Sequence, residues 1–161
     1  MTSSKSFFLR KIVPLFLNQL KQGTSPQKLA LSAAVGFTMG LFPIMGSTSA
    51  LCFMIGYCFK LNHPTLQITN HAVFPLQVPL ILIFLRMGEW IYHSSPISLS
   101  PLELKVQFLA NPVVFLHRFG LAGTHAISAW CLIAPLVIFA LYKVILKLLY
   151  KFPMPQSWGN N

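Results

Sequence analysis

The stretch LALSAAVGFTMGLFPIMGSTSALCFMIGYCF, residues 29–59, decides how this chain must be read. It holds 31 residues without a charge between Lys28 and Lys60. As one helix it would reach roughly 46 Å, too long for a single straight crossing of a ~30 Å hydrocarbon layer and too short for two full ones. Pro43 and Gly46 stand in its middle, followed by the polar run Ser47-Thr48-Ser49. The expected form is therefore a broken helical hairpin, Leu29 to about Phe42 and about Ser47 to Phe59, joined by a tight turn through Pro43 and Gly46, with Ser47 as N-cap of the second arm. Such a hairpin can enter a bilayer only where its turn is covered by protein, lines a watery cavity or reaches the interface. Gly36 and Gly40, four apart, would let another helix approach closely.

Two more stretches lack charge altogether, 25 residues between Lys60 and Arg86 and 24 between Arg118 and Lys143. Across the 161 residues, 55% are hydrophobic and 9% charged, where soluble domains carry roughly a quarter charged. The expected fold is an all-α integral membrane bundle: the broken hairpin, either re-entrant or making two short crossings, two further membrane segments and an N-terminal interfacial helix. Disorder is excluded, because disordered chains are polar and charge-rich. The net charge of +10 does not point to nucleic acid, since the basic residues are few and stand apart. Cys52, Cys58 and Cys131 lie in apolar segments and read as small hydrophobes.

Residues 1–22 form a basic amphipathic stretch. Leu9, Ile12, Val13, Phe16, Leu17 and Leu20 share one helical face, opposite Arg10, Lys11, Asn18 and Lys21. No cleavage site follows this stretch, so the N-terminus is expected to be retained. Ser25-Pro26 restarts a helix as N-cap and first residue. After the hairpin, Leu61 to Pro64 read as a turn, and residues 65–92 as one proline-rich arm in which Pro75 and Pro79 weaken the backbone. Asn70, His71 and Gln77 are its polar groups, to be expected on the inward side. Arg86 and Glu89 can pair across one turn as an interfacial ion pair beside the aromatic residues Trp90 and Tyr92. Residues 93–111 form a loop and a short helix capped by Ser100-Pro101-Leu102-Glu103, with Leu102, Val106 and Leu109 on its apolar face. Asn111-Pro112 opens a final helix, 112–152, with Ala122 and Ala126 as a small-residue face; residues 153–161 are a tail. Lys143, Lys147 and Lys151 make a basic stripe suited to anionic head groups, as do Arg10, Lys11 and Lys21.

The series Gly23-Thr24-Ser25-Pro26, Ala30, Gly36, Gly40, Pro43, Gly46, Lys60-Leu61-Asn62-His63-Pro64, Asn70, Pro75-Leu76-Gln77 and Gly88 resembles the bacterial integral-membrane family DUF2062. The resemblance covers residues 23–92 as a membrane core. Many members carry Asn-Pro-x-Thr-x-Pro-Pro where this chain has Asn70-His71 and spreads its prolines to Pro75 and Pro79, which marks a divergent branch. Some members are joined to glycosyltransferase domains of the kind that use lipid-phosphate carriers. The resemblance thus implies the cell envelope and the bacterial inner membrane.

Orientation follows from charge. Lys5, Arg10, Lys11, Lys21 and Lys28 precede the hairpin, and Lys143, Lys147 and Lys151 follow the last helix, so both termini are expected to be cytoplasmic. The hairpin enters and returns, the proline-rich arm crosses outward and the last helix crosses back. Residues 86–118 would then be external.

The chain has no Asp, no paired-carboxylate site, no nucleotide loop, no nucleophile elbow and no zinc spacing. No catalytic residue, metal or cofactor is assigned, and the function expected is non-enzymatic handling of a lipid or small solute along Ser47, Thr48, Asn70, Gln77, Arg86 and Glu89. The alternative is an accessory scaffold that docks to envelope-synthesis enzymes, or to copies of itself, through its small-residue faces. Its remaining expected partners are the anionic membrane lipids.

Overall fold

The computed structural model describes residues 25–98 and 100–151. Among them the chain forms six helices and no strand: α1 (Pro26–Gly40), α2 (Thr48–Cys58), α3 (His63–Ala72), α4 (Phe74–Ile91), α5 (Pro101–Ala110) and α6 (Pro112–Lys151). The expected interfacial helix over 1–22 and the tail lie outside the described residues.

The hairpin is α1 and α2. Ser25 caps α1 by accepting from the Lys28 N–H at 3.3 Å, with Pro26 opening the first turn. The connection closes through Gly46 at φ +86°, a left-handed conformation that costs glycine nothing. Ser47 departs from expectation. Its backbone is already helical (φ −86°, ψ −17°) and its side chain makes no cap bond, donating instead to the Ile44 carbonyl at 3.0 Å. A residue caps from extended backbone, and Ser47 does not have it.

Lys60, at φ 51°, ends α2: its N–H reaches the Tyr57 carbonyl and that of Leu61 the Gly56 carbonyl, the paired bonds of a Schellman motif. His93 ends α4 in the same way, through Glu89 and Trp90. Asn62 then opens α3, accepting from the Thr65 N–H at 2.9 Å.

The proline-rich arm is two helices, not one. The break is at Val73, buried, with φ −92° and ψ 0°. Within a continuous helix Pro75 would strike the His71 carbonyl and leave it unbonded; with α4 starting at Phe74, Pro75 falls in a first turn that needs no N–H. Pro79 remains inside α4. Ser100 precedes α5 but makes no side-chain cap bond, its own N–H donating to Ser98 Oγ at 3.3 Å. Leu102, Val106 and Leu109 are all exposed, and α5 buries no residue. Asn111 does cap α6, accepting from the Val114 N–H at 3.1 Å.

α1 is the centre of the bundle, packed on α3 and α6; α6 also packs on α4, and α2 on α3. Gly36 lies on Leu66 and Thr69, and Gly40 on Asn70 and Val73, so α1 and α3 run side by side in the same direction with no room for a Cβ on either glycine. α6 runs the opposite way. Gln27 Nε2 donates to Tyr150 Oη at 2.7 Å near one end, and the Phe42 and Trp130 rings meet edge to face at 5.1 Å at the turn. Further along, Gly88 lies on the backbone of His125 and Ala126. α4 and α6 are long and apolar enough to cross a membrane; α1 and α2, with 15 and 11 residues, are shorter.

Candidate functional site

Two groups of polar residues stand out against this apolar frame. The first is a row along the seam between α3 and the hairpin. His63, Gln67 and Asn70 follow at steps of four and three residues, so α3 presents them on one face. Gln67 Nε2 donates to the Ser49 carbonyl at 3.1 Å and Asn70 Nδ2 to Ser49 Oγ at 3.3 Å. Gln77, only 1% exposed, donates to the Phe42 carbonyl at 3.0 Å and so satisfies the chain where it leaves α1. Three buried atoms in the row have no partner: His63 Nδ1, Gln67 Oε1 and Asn70 Oδ1. Buried polar atoms are otherwise almost always hydrogen-bonded, so these three atoms make the row a candidate site for water or another molecule. Beside its His63 end, a surface groove is lined by Gly56, Tyr57, Lys60 and Leu61.

The second group lies beyond the C-terminal half of α4. Glu89, 6% exposed, holds Arg86 Nη1 on Oε2 at 2.7 Å and accepts the Ile97 N–H on Oε1 at 2.8 Å. Arg86 Nη2 donates to the Ile97 carbonyl at 3.3 Å. The pair is the one expected, but its carboxylate is enclosed by the 94–98 loop rather than open to an interface. Against it lies a cavity of about 300 Å³, walled by the loop serines, Gln107, Phe115, Arg118, Phe119 and His125. His125 is stacked on Tyr92 at 4.2 Å, with Nδ1 3.3 Å from Ser94 Oγ.

The expected path residues therefore do not form one path. Asn70 and Gln77 belong to the seam and Arg86 and Glu89 to the cavity, with Gln77 and Glu89 about 18 Å apart along α4. Ser47 bonds its own turn, Thr48 is buried, and His71 is exposed. Gln67 and His63 are seam residues outside the expected path, and Ser49, from the polar run after the turn, joins them; the steps of four and three leading to Asn70 were the available signal for the first two. Gly36, Gly40 and Ala126 are buried against other helices of the chain and Ala122 is buried beside the cavity, while Pro43 and Gly46 make the turn. Lys143, Lys147 and Lys151 are exposed on α6; Arg10, Lys11 and Lys21 lie outside the described residues.

No curated protein and no solved structure matches the chain significantly. The family model described as "Uncharacterized protein conserved in bacteria (DUF2062)" matches residues 9–154, well past both ends of the glycine, proline and asparagine series in residues 23–92. The chain belongs to this bacterial family.

Proposed function

We propose that the chain is a non-enzymatic, multi-pass protein of the bacterial inner membrane that handles an amphiphile, taking its polar group along the seam of the broken hairpin while its chains stay in lipid. The observation that carries this reading is the row of unpartnered polar atoms, His63 Nδ1, Gln67 Oε1 and Asn70 Oδ1, inside a bundle whose outer surface is apolar. Each such group costs several kcal/mol in hydrocarbon unless something bonds it, roughly 2–7 kcal/mol on transfer scales.

The membrane setting has support of its own. The most apolar window of α6 is only 6% buried and that of α4 28%, whereas the core helix of a soluble protein would be mostly covered. Trp130, near the midpoint of the uncharged residues 119–142, meets Phe42 at the hairpin turn, which supports a re-entrant turn near mid-depth. The Gln27–Tyr150 and Asn62–Ser32 bonds gather the start of α1, the α2–α3 turn and the end of α6 toward one end. Lys28, Lys60 and the α6 lysines belong to these segments, and this clustering of positive charge supports a cytoplasmic assignment of that end under the positive-inside rule.

A scaffold would dock through small-residue faces, but Gly36, Gly40 and Ala126 are already in contact with other helices of the chain and Ala122 is buried. The test is purification in native lipid with identification of bound lipid, for the parent chain and for Gln67→Leu/Asn70→Leu. A cargo present in the parent and lost from the folded variant supports the reading; equal cargo in both sinks it.

A further inference from the structure

We propose that the cavity between the 94–98 loop and the N-terminal part of α6 binds the phosphate of an anionic lipid head group, with Arg118 as its charged anchor. This site is separate from the hairpin seam; only its placement at the external face rests on the orientation proposed above.

The argument is first one of charge. Two formal charges line the cavity, Glu89 and Arg118. The Glu89 carboxylate is already neutralised by Arg86, and both of its oxygens are occupied. Arg118 forms no ion pair among the described residues. The cavity therefore carries one uncompensated positive charge on a planar fork of donors that fits two phosphate oxygens at once. The remaining polar groups supply further donors: the Ser95 and Ser98 hydroxyls, the Gln107 amide and one proton of the hydrogen-bonded Ser94–His125 pair, whose ring is stacked on Tyr92.

Shape and position narrow the class further. Phe115 and Phe119, stacked at 5.7 Å, line the same cavity as Arg118 and face a ligand with carbon on one side and charge on the other. A volume of about 300 Å³ is at the small end of ligand pockets, enough for a head group and not for acyl chains. Arg118 is also the last charge before the uncharged residues 119–142, which is the level at which lipid phosphates lie when that stretch spans. The apolar face of α5, Leu102, Val106 and Leu109, is exposed beside it and suits insertion at the same interface.

The experiment is native mass spectrometry of the full chain in detergent with added phosphatidylglycerol, diacylglycerol or inorganic phosphate. The background is Lys143→Gln/Lys147→Gln/Lys151→Gln, which removes the exposed basic stripe. Phosphatidylglycerol should bind, Arg118→Gln should lower its occupancy about tenfold, Arg118→Lys should restore part of it, and Lys105→Gln should leave it unchanged. Diacylglycerol should not bind. Equal occupancy in the parent and a folded Arg118→Gln, checked by circular dichroism, overturns the site. Binding of diacylglycerol equal to that of phosphatidylglycerol overturns the role of phosphate, and inorganic phosphate binding as tightly as the lipid overturns the lipid assignment. None of these outcomes touches the seam, whose own variants are Gln67→Leu and Asn70→Leu.

Discussion

Gln77 ties α4 to the end of the first hairpin arm. α1 ends in mid-bundle, and the Phe42 carbonyl, left without a helical partner, is bonded by the Gln77 amide at 3.0 Å. Gln77→Leu keeps much of the volume and removes the donor, so it should cost about 1–3 kcal/mol, read as a lowered melting temperature in detergent. Gly46 is the converse case: nothing lies within 4 Å of an added Cβ, yet at its φ of +86° any side chain is strained. Gly46→Ala should destabilise by roughly 1–2 kcal/mol through backbone strain alone. His93 occupies a left-handed position that glycine would fill without strain, so His93→Gly should stabilise by about 0.5–1 kcal/mol in the same melt. Asn70 and Gln77 were legible in the sequence as polar groups in an apolar arm. The part of Gln67 was not, although it stands at helical spacing from Asn70, because spacing alone does not say which face of α3 turns toward the hairpin, and His71, equally polar, turns away.

Glycines separate the helix contacts cleanly at the level of elements. Gly88 lies on the His125 carbonyl group, where an added Cβ would come within 2.6 Å of its oxygen, whereas Gly120 in α6 has open space around it. Gly88→Ala should cost about 1–3 kcal/mol by forcing α4 and α6 apart, while Gly120→Ala should be neutral or stabilise by up to about 1 kcal/mol through helix propensity. Thermal melts of the two variants side by side check both. The hairpin arms and the caps at Ser25 and Asn111 were readable in advance, since proline, glycine and cap residues act locally. The division of the proline-rich arm at Val73 was not. Pro75 and Pro79 carry the same sequence signal, and which of them a helix tolerates depends on where its first turn falls.

For the molecule as a whole, apolar length and charge placement carry the account. The cavity was invisible in the sequence because it joins Glu89, the 94–98 loop and His125, which only the packing of α4 on α6 brings together. The hairpin, by contrast, was foreshadowed by 31 uncharged residues interrupted by Pro43 and Gly46, and the short α1 and α2 follow from that interruption. The central claim is that α1 and α2 enter and return on the cytoplasmic side while α4 and α6 cross. Reporter fusions at residues 60, 98 and 155 test it most directly. The account predicts cytoplasmic signals at 60 and 155 and an external one at 98; an external signal at 60 or at 155 would contradict it.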